Sequence, residues 1–424
     1  MRPRIITGIV LTAAVFSFSL AAQEAEERVL TLQEAVDLAN QNNITIKSAQ
    51  GNLDLLKSKN SFSWNSISPT IKVAGSFADN FESDTTTFGV SGTVSMGLST
   101  NLISTINGAK LAYESGQLSY EQTCRKIEQT VRKTFYGLLY EEASLESQKK
   151  ALETAKSQYE ANQEKFRHGQ ISELDVMQSR VTYEQKLPSL ESAALQLSND
   201  YRTFKQLIGL DQKIKLELNG SLDDVMKLKS VTLPDAAQPA PDVRSAQYDV
   251  DTAKNNLLAS RFSAYGPAIS ASYSYGKNKI SSMDDWTTSN SLSVGVSIPL
   301  DGYLPWSTGA ASIAASKVSL KNAQLQLENT ETTLLINTEN YIQKINQGIS
   351  QLASLKATAE LAEQSYKMTQ TAYNYGKTDL MNLQSASDNV FSSEVNIKSQ
   401  CYSLIGTLLD LEYLLGIPFG SLGE

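Results

Sequence analysis

The chain's stock of reactive side chains is small. It has one histidine, His168, and two cysteines, Cys124 and Cys401. Imidazole is the side chain best suited to moving protons near neutral pH, and a lone one has no second imidazole with which to share a metal or build a relay. His168 is therefore read as a solvated loop residue. Neither cysteine has a Cys or His neighbour at metal-site spacing. In an exported chain the two could form a disulfide. As free thiols they would act as small buried hydrophobes, and that second reading is preferred. No P-loop or other phosphate-cradling glycine loop occurs, so no nucleotide chemistry is expected. Carboxylates are scattered along the chain, and no pair nominates itself for acid–base work. The net charge of −8 argues against a nucleic-acid groove, which needs clustered Lys and Arg. These residues point to no enzyme, no metal and no cofactor.

Function must then lie in how the elements are arranged. Arg2 and Arg4 precede an apolar run from Ile5 to Leu20, and Ala21 and Ala22 follow. That is the pattern of a secretory signal peptide over 1–22, too short and too rich in small residues for an anchor. No later stretch reaches the ~18 consecutive apolar residues of a spanning helix. A membrane crossing by the mature chain would have to be a β-barrel.

Self-comparison is the most informative operation. Tyr159, Phe166, Gly169, Asp175, Leu207 and Gly209 map at one constant interval onto Tyr366, Tyr373, Gly376, Asn382, Leu414 and Gly416. Pro69 maps onto Pro267 at a slightly shorter interval, so loop lengths differ between the copies. Each copy reads as helix, hairpin, long helix, turn, helix. The first repeat is placed at 23–210, with its hairpin about 69–102 and its turn near 169. The second is placed at 242–424, with its hairpin about 267–300 and its turn near 376. Between them, 211–241 contains Pro234, Pro239 and Pro241 and has little periodicity, so it is read as a linker.

The helices are long. From about Gly108 to Arg167 there is no proline, a span of about 90 Å at helical rise. Apolar residues recur every seven as Val131, Leu138, Leu145, Leu152, Tyr159 and Phe166. After the turn the series resumes as Val176, Tyr183, Leu190, Leu197 and Phe204, and in the second copy as Leu383, Val390, Ile397, Leu404 and Leu411. A sustained period of seven predicts coiled-coil packing with a left-handed supercoil. Pro188 predicts a kink in the first returning helix.

The hairpins alternate instead. Phe88, Val90, Val94, Met96 and Leu98 are separated by Gly, Ser and Thr, as are Leu292, Val294, Val296, Ile298 and Leu300 by Ser, Gly and Pro. Partner strands are expected over Ile71 to about Phe81 and Ile269 to Tyr275. A soluble sandwich would turn the apolar face inward; a transmembrane barrel turns it to lipid and the small polar face to a wet lumen. Tyr303 and Trp306 follow the last strand, where a membrane interface would fall. Four strands cannot close a barrel, since small barrels need about eight.

In these features the chain resembles the TolC family of outer-membrane export ducts. The opening segment from Thr31 to Asn43 is similar to that family's start, although Thr31 and Glu34 also form a plain capping box. More specific is the turn motif of an aromatic, two residues, Gly, a polar turn and a restarting helix. It occurs twice, as Phe166-Arg-His-Gly169 and Tyr373-Asn-Tyr-Gly376. The resemblance implies an α+β membrane protein with a long coiled-coil helical barrel. Four strands per chain would contribute to a twelve-stranded outer-membrane β-barrel of a homotrimer. It further implies an exit duct reaching into the periplasm, docked to a periplasmic adaptor and an inner-membrane pump, in a tripartite efflux or type I secretion system. Cargo would pass without chemistry in the duct.

The resemblance also implies a gate. The family's tyrosine before the second turn glycine falls on Tyr373, and its aspartate after the first falls on Asp175, so a hydroxyl–carboxylate latch is available. The family's arginine after the second glycine is replaced by Thr378, with Lys377 adjacent. Two aspartates of its acidic ring are replaced by Asn382 and Ser385, leaving Asp175 and Asp379 as the nearby carboxylates. Read without the family, Asp175 and Asp379 are helix-start carboxylates, favourable beside an N-terminal dipole. Gly169, Gln170, Gly376 and Lys377 form the tip that would meet the adaptor. The competing reading is a secreted coiled-coil structural or adhesive protein whose hairpins never meet lipid.

Overall fold

The computed structural model describes residues 27–82, 84–228, 230–231 and 239–422. The expected signal peptide lies outside them. Strand β1 (Glu27–Thr31) leads into α1 (Leu32–Asn42) and α2 (Ile44–Ser61). The first hairpin is β2 (Thr70–Asn80) and β3 (Thr85–Ser99). Two long helices follow, α3 (Asn101–Arg167) and α4 (Glu173–Ile208). Strand β4 (Lys215–Asn219) lies in the joining segment. The second repeat runs α5 (Pro241–Tyr265), β5 (Ala268–Ile280), β6 (Thr287–Ser297), α6 (Thr308–Asn374) and α7 (Leu380–Leu415). The duplication holds to the residue: α3 and α6 each have 67 residues, about 100 Å, and α4 and α7 each have 36.

Local chemistry sets the ends. Thr31 and Glu34 cap α1 reciprocally, as the sequence predicts. Gly209 (φ +69) and Gly416 (φ +73) close α4 and α7 in the left-handed region. The helix α4 continues through Pro188 rather than ending there.

The joining segment is more than a linker. Its β4 pairs in parallel with β1, from Glu27 opposite Lys215 to Thr31 opposite Asn219, and Lys215 meets Glu27 at 2.5 Å. Beneath that small sheet lies the main core: Leu30, Val36, Val131, Phe135, Leu138, Phe204 and Ile208. The second repeat has its counterpart in Ile345, Leu404, Leu408 and Leu411. Leu138, Phe204, Leu404 and Leu411 belong to the seven-residue series, so the seam is apolar as expected at this end.

Polar links join the repeats here. Gln129 is buried and donates to Asp410 Oδ1 (2.8 Å) and to the Leu409 carbonyl (3.2 Å). Arg125 Nη2 donates to the Ile417 carbonyl at 2.6 Å and sits 5.0 Å from the Phe419 ring centre. The buried Glu412 carboxylate accepts the backbone N–H groups of Gly420 and Leu422. Burial raises its pKa, and those two bonds oppose the rise.

Toward the turns the seam changes character. Leu145, Leu152 and Tyr159 are only half-buried, and Phe166 is exposed. The buried residues in this half of α3 and α4 are Ser147, Ala151, Ala155, Asn162 and Ser179. Across from them α7 buries Leu380, Leu383 and Ala386, so here leucines on one hairpin meet small and polar residues on the other, which lets the helices approach closely.

The two hairpins form one antiparallel sheet in the order β2-β3-β5-β6. Register places Ile71, Val94, Tyr273 and Leu292 in one row across it. The same face carries Val73, Phe77, Phe88, Val294 and Val296, all exposed. The opposite face carries Ser91, Thr93, Ser95, Ser272, Ser274, Ser291 and Ser293. Exposed aromatics mark both ends: Phe81 and Trp286 at the hairpin turns, and Phe62, Trp64, Tyr303 and Trp306 near the helices. No described helix is long and apolar enough to cross a membrane. Strands β2 and β6 are the sheet's open edges.

Candidate functional site

The two turns opposite the sheet are built alike. Gly169 and Gly376 both have φ +69. Gly169 N–H donates to the Phe166 carbonyl (2.8 Å) and Gln170 N–H to the Lys165 carbonyl (2.9 Å). Gly376 and Lys377 repeat the pattern with Tyr373 (3.0 Å) and Ala372 (2.8 Å). This double bond satisfies the last carbonyls of α3 and α6, and the left-handed residue it needs is the glycine. Gln170 and Lys377 are exposed beside it, and His168 is the exposed C-cap of α3.

The carboxylates of the gate reading act first as caps. Asp175 Oδ2 accepts from Ser172 N–H (3.1 Å) and Ser172 Oγ (2.8 Å), closing a capping box on α4. Asp379 is the N-cap of α7, accepting from Asn382 N–H (2.8 Å). Asn382 Nδ2 in turn donates to Thr378 Oγ1 (3.2 Å). Ser385 is exposed on the next turn of α7.

Tyr373 does not bond to Asp175 within the chain. Its hydroxyl donates to Oδ1 of Asn162, at 2.9 Å, and Asn162 is fully buried. Lys165 Nζ lies 4.6 Å from the Tyr373 ring centre. Burial raises the Tyr373 hydroxyl above its ordinary pKa, and the Asp175 charge raises it further. Asp175 thus acts on Tyr373 through its field, while the hydrogen bond ties α6 to α3. Asn162 gave no sequence signal, because a single amide on a polar helix looks like surface.

A second acidic group lies between the core and the turns. Glu141 is pushed up to about 7, first by burial and then by the facing Asp200 carboxylate. Its Oε2 is buried without a donor among the described residues, which disfavours the charged form. Beside it Tyr201 donates to Glu142. The folded chain therefore binds more protons than the unfolded one between the ordinary carboxylate range and about pH 7. Stability falls as pH rises through that window and levels above it. Glu141→Gln is expected to melt higher than the parent at about pH 8 and nearly equal at about pH 5, read by circular dichroism in detergent. The same difference at both pH values would contradict the assignment.

Among the described residues, no group of three or more His, Cys, Asp and Glu is placed to hold a metal. Both cysteines are free thiols, Cys401 buried and Cys124 partly so.

The chain belongs to the outer membrane efflux protein family, which it matches over residues 35–210 and 232–417. No curated protein matches it by sequence. Solved structures share its fold. The CmeC outer membrane channel of Campylobacter jejuni has a TM-score of 0.73 at 18% identity, covering 91% of this chain and 85% of that one. VceC of Vibrio cholerae, an outer membrane protein, has 0.71 at 13% identity, covering 92% and 96%. The open-state MtrE outer membrane channel of Neisseria gonorrhoeae has 0.69 at 17% identity, covering 93% and 90%. The family is one of channels rather than enzymes, and its membership locates the chain in the outer membrane, with its helices extending into the periplasm.

Proposed function

We propose that three copies of this chain form the exit duct of a tripartite efflux pump or type I secretion system. The observation that carries the reading is the sheet: one apolar face exposed, one small polar face, and two open edges. Edges are sites of pairing, and copies joined β6 to β2 give a twelve-stranded barrel with apolar residues toward lipid.

The helical half supports the same closure. Helix α3 packs against α4 and α7, and α7 packs against α6, which leaves α4 and α6 at the flanks. Each flank carries an exposed apolar stripe at seven-residue spacing. On α4 it is Leu174, Val181, Pro188 and Leu195; on α6 it is Leu361 and Met368, continued by Tyr375 at the helix's C-cap. The helices run in opposite directions over the same height above the turns, so the stripes interleave as a coiled-coil seam between neighbours. The turns, with Gly169, Gln170, Gly376 and Lys377, are then the periplasmic tip that meets an adaptor's hairpin and, through it, the inner-membrane pump. Tyr373, Asp175, Thr378, Asp379, Asn382 and Ser385 ring the opening. A secreted adhesive coil would have no use for an apolar face as wide as a bilayer on both hairpins.

The test is the mass of the detergent-extracted protein, with Val181→Cys and Met368→Cys introduced together. The expected result is a three-chain particle whose chains crosslink to one another on oxidation. A single-chain particle without crosslinks would contradict the reading.

A further inference from the structure

The apolar face of the sheet carries two lysines. Lys277 and Lys279 lie two residues apart on β5, so both project from one face. Register puts Lys277 opposite Val90 and Thr288, and Lys279 opposite Phe88. Those rows continue on β2 with Gly75 and Phe77. Val90, Phe88 and Phe77 are all exposed, and the two phenylalanine rings pack edge-on with centres 5.0 Å apart. The lysines thus share the apolar face and not the serine face. Lys72, the other basic residue of the sheet, lies opposite Thr93 and so on the polar face.

Height decides what the two lysines meet. From Ile269 at the helix end of β5 to Lys277 and Lys279, a strand tilted by about 40° climbs about 20 and 25 Å. The apolar band of an outer-membrane barrel is about 25 Å tall, so both stand at its outer rim. The helices extend into the periplasm, which makes that rim the outer leaflet's. A lysine there lays its stem along the apolar face and lifts its ammonium to headgroup level. Among the described residues no carboxylate pairs with either one. The other charge on this face of the strands is Asp79, a row further out on edge strand β2, where it accepts from Thr86 Oγ1 at 3.3 Å. Aligned from Pro69 and Pro267, Lys277 and Lys279 take the places of Asp79 and Phe81. The basic pair therefore occurs once per chain. It sits on an interior strand flanked by β3 and β6, away from the edges where copies would join.

We propose that Lys277 and Lys279 bind the phosphate of an anionic lipid in the outer leaflet, with Val90 and Tyr275 against its acyl chains. This rests on the duct reading above. Side chains two apart on a strand start about 7 Å from each other, so both ammonium groups can converge on one phosphate. A compact ammonium suits a phosphate, and the low dielectric of the rim strengthens the attraction. Salt screens it, so lipid retention weakens as ionic strength rises.

The experiment titrates the full-length oligomer in detergent with diphosphoryl lipid A, and separately with phosphatidylcholine. Bound lipid is counted by native mass spectrometry. Lys277→Gln combined with Lys279→Gln is expected to bind lipid A about tenfold less tightly than the parent, the scale of two basic side chains at an anionic surface. Phosphatidylcholine binding should not change. Lys72→Gln, and the charge-keeping pair Lys277→Arg with Lys279→Arg, should bind lipid A like the parent. Inorganic phosphate at the lipid's concentration should not displace it. A glutamine pair that binds like the parent, an equal loss in Lys72→Gln, or displacement by inorganic phosphate would overturn the lipid site and leave the duct in place. A single-chain particle that takes up neither lipid would overturn the duct reading, and this inference with it.

Discussion

Leu292→Arg is expected to keep the protein out of the outer membrane. Leu292 is the middle residue of β6, opposite Tyr273, with its side chain 73% exposed on the apolar face. An arginine at the bilayer midplane costs about 2–4 kcal/mol per chain, and a shared barrel would carry it three times. Ser293 is the control. It lies one residue on, on the small polar face opposite Ser272. Ser293→Arg would project into a wet lumen and should insert nearly as well as the parent. The measurement is the amount of heat-resistant oligomer recovered from outer-membrane fractions and from liposomes. Equal recovery of the two variants would mean the apolar face does not meet lipid.

The second large effect lies at the other structural extreme, in the root core. Phe135 is 1% exposed and packs edge-on to Tyr136 and Phe204, with ring centres 5.9 and 6.3 Å away. The site is filled closely: a Cβ on Gly220 would come within 2.8 Å of the Phe135 ring. Phe135→Ala should cost about 3–5 kcal/mol, the usual loss for a buried phenylalanine whose surroundings cannot collapse. Because Phe135 supports the β1–β4 sheet, α1 and α4 at once, unfolding of the helical part should shift to lower denaturant in circular dichroism. Met368→Ala, on an exposed flank, should leave the isolated chain's helical stability nearly unchanged. A Phe135→Ala protein as stable as the parent would show that the root core does not anchor the coil.

These two sites were not equally legible in the sequence. The hairpins were, because strand alternation is local: Leu292 and Ser293 declare opposite faces by their types and adjacency. The repeat was legible for the same reason, since Gly169 and Gly376 must each supply a left-handed residue at one place in the same motif. The seven-residue series was a mixed guide. It named Leu138, Phe204 and Leu411, which are buried, but it also led through Leu145 and Leu152 to Phe166, which progressively leave the core. In that half Leu383 of the series stays buried on α7, but its partners across the seam are Ala151, Ala155 and Ser179, and small residues carry no hydrophobic signal. The β1–β4 sheet was invisible because its strands are short, mixed in polarity and far apart in sequence. From sequence alone the joining segment therefore reads as a linker.

The gate reading shows the same limit. Family resemblance directed attention to Tyr373 and Asp175, and both stand at the tip. Their direct bond is absent in this chain, because Asp175 is engaged by Ser172 and the phenol hydroxyl finds Asn162. Pairings such as Tyr373 with Asn162, or Lys186 on α4 with Asp388 on α7 at 2.8 Å, depend on how two helical hairpins lie against each other. No periodicity within either hairpin encodes that.

A water-filled path through lipid made by this chain is tested most directly by single-channel current. Purified oligomer added to a planar bilayer should give discrete, nearly ohmic current steps, with the closed fraction reduced in Tyr373→Phe. Properly folded oligomer that inserts into the bilayer and gives no current steps, in the parent and in the variant, would contradict a conducting duct.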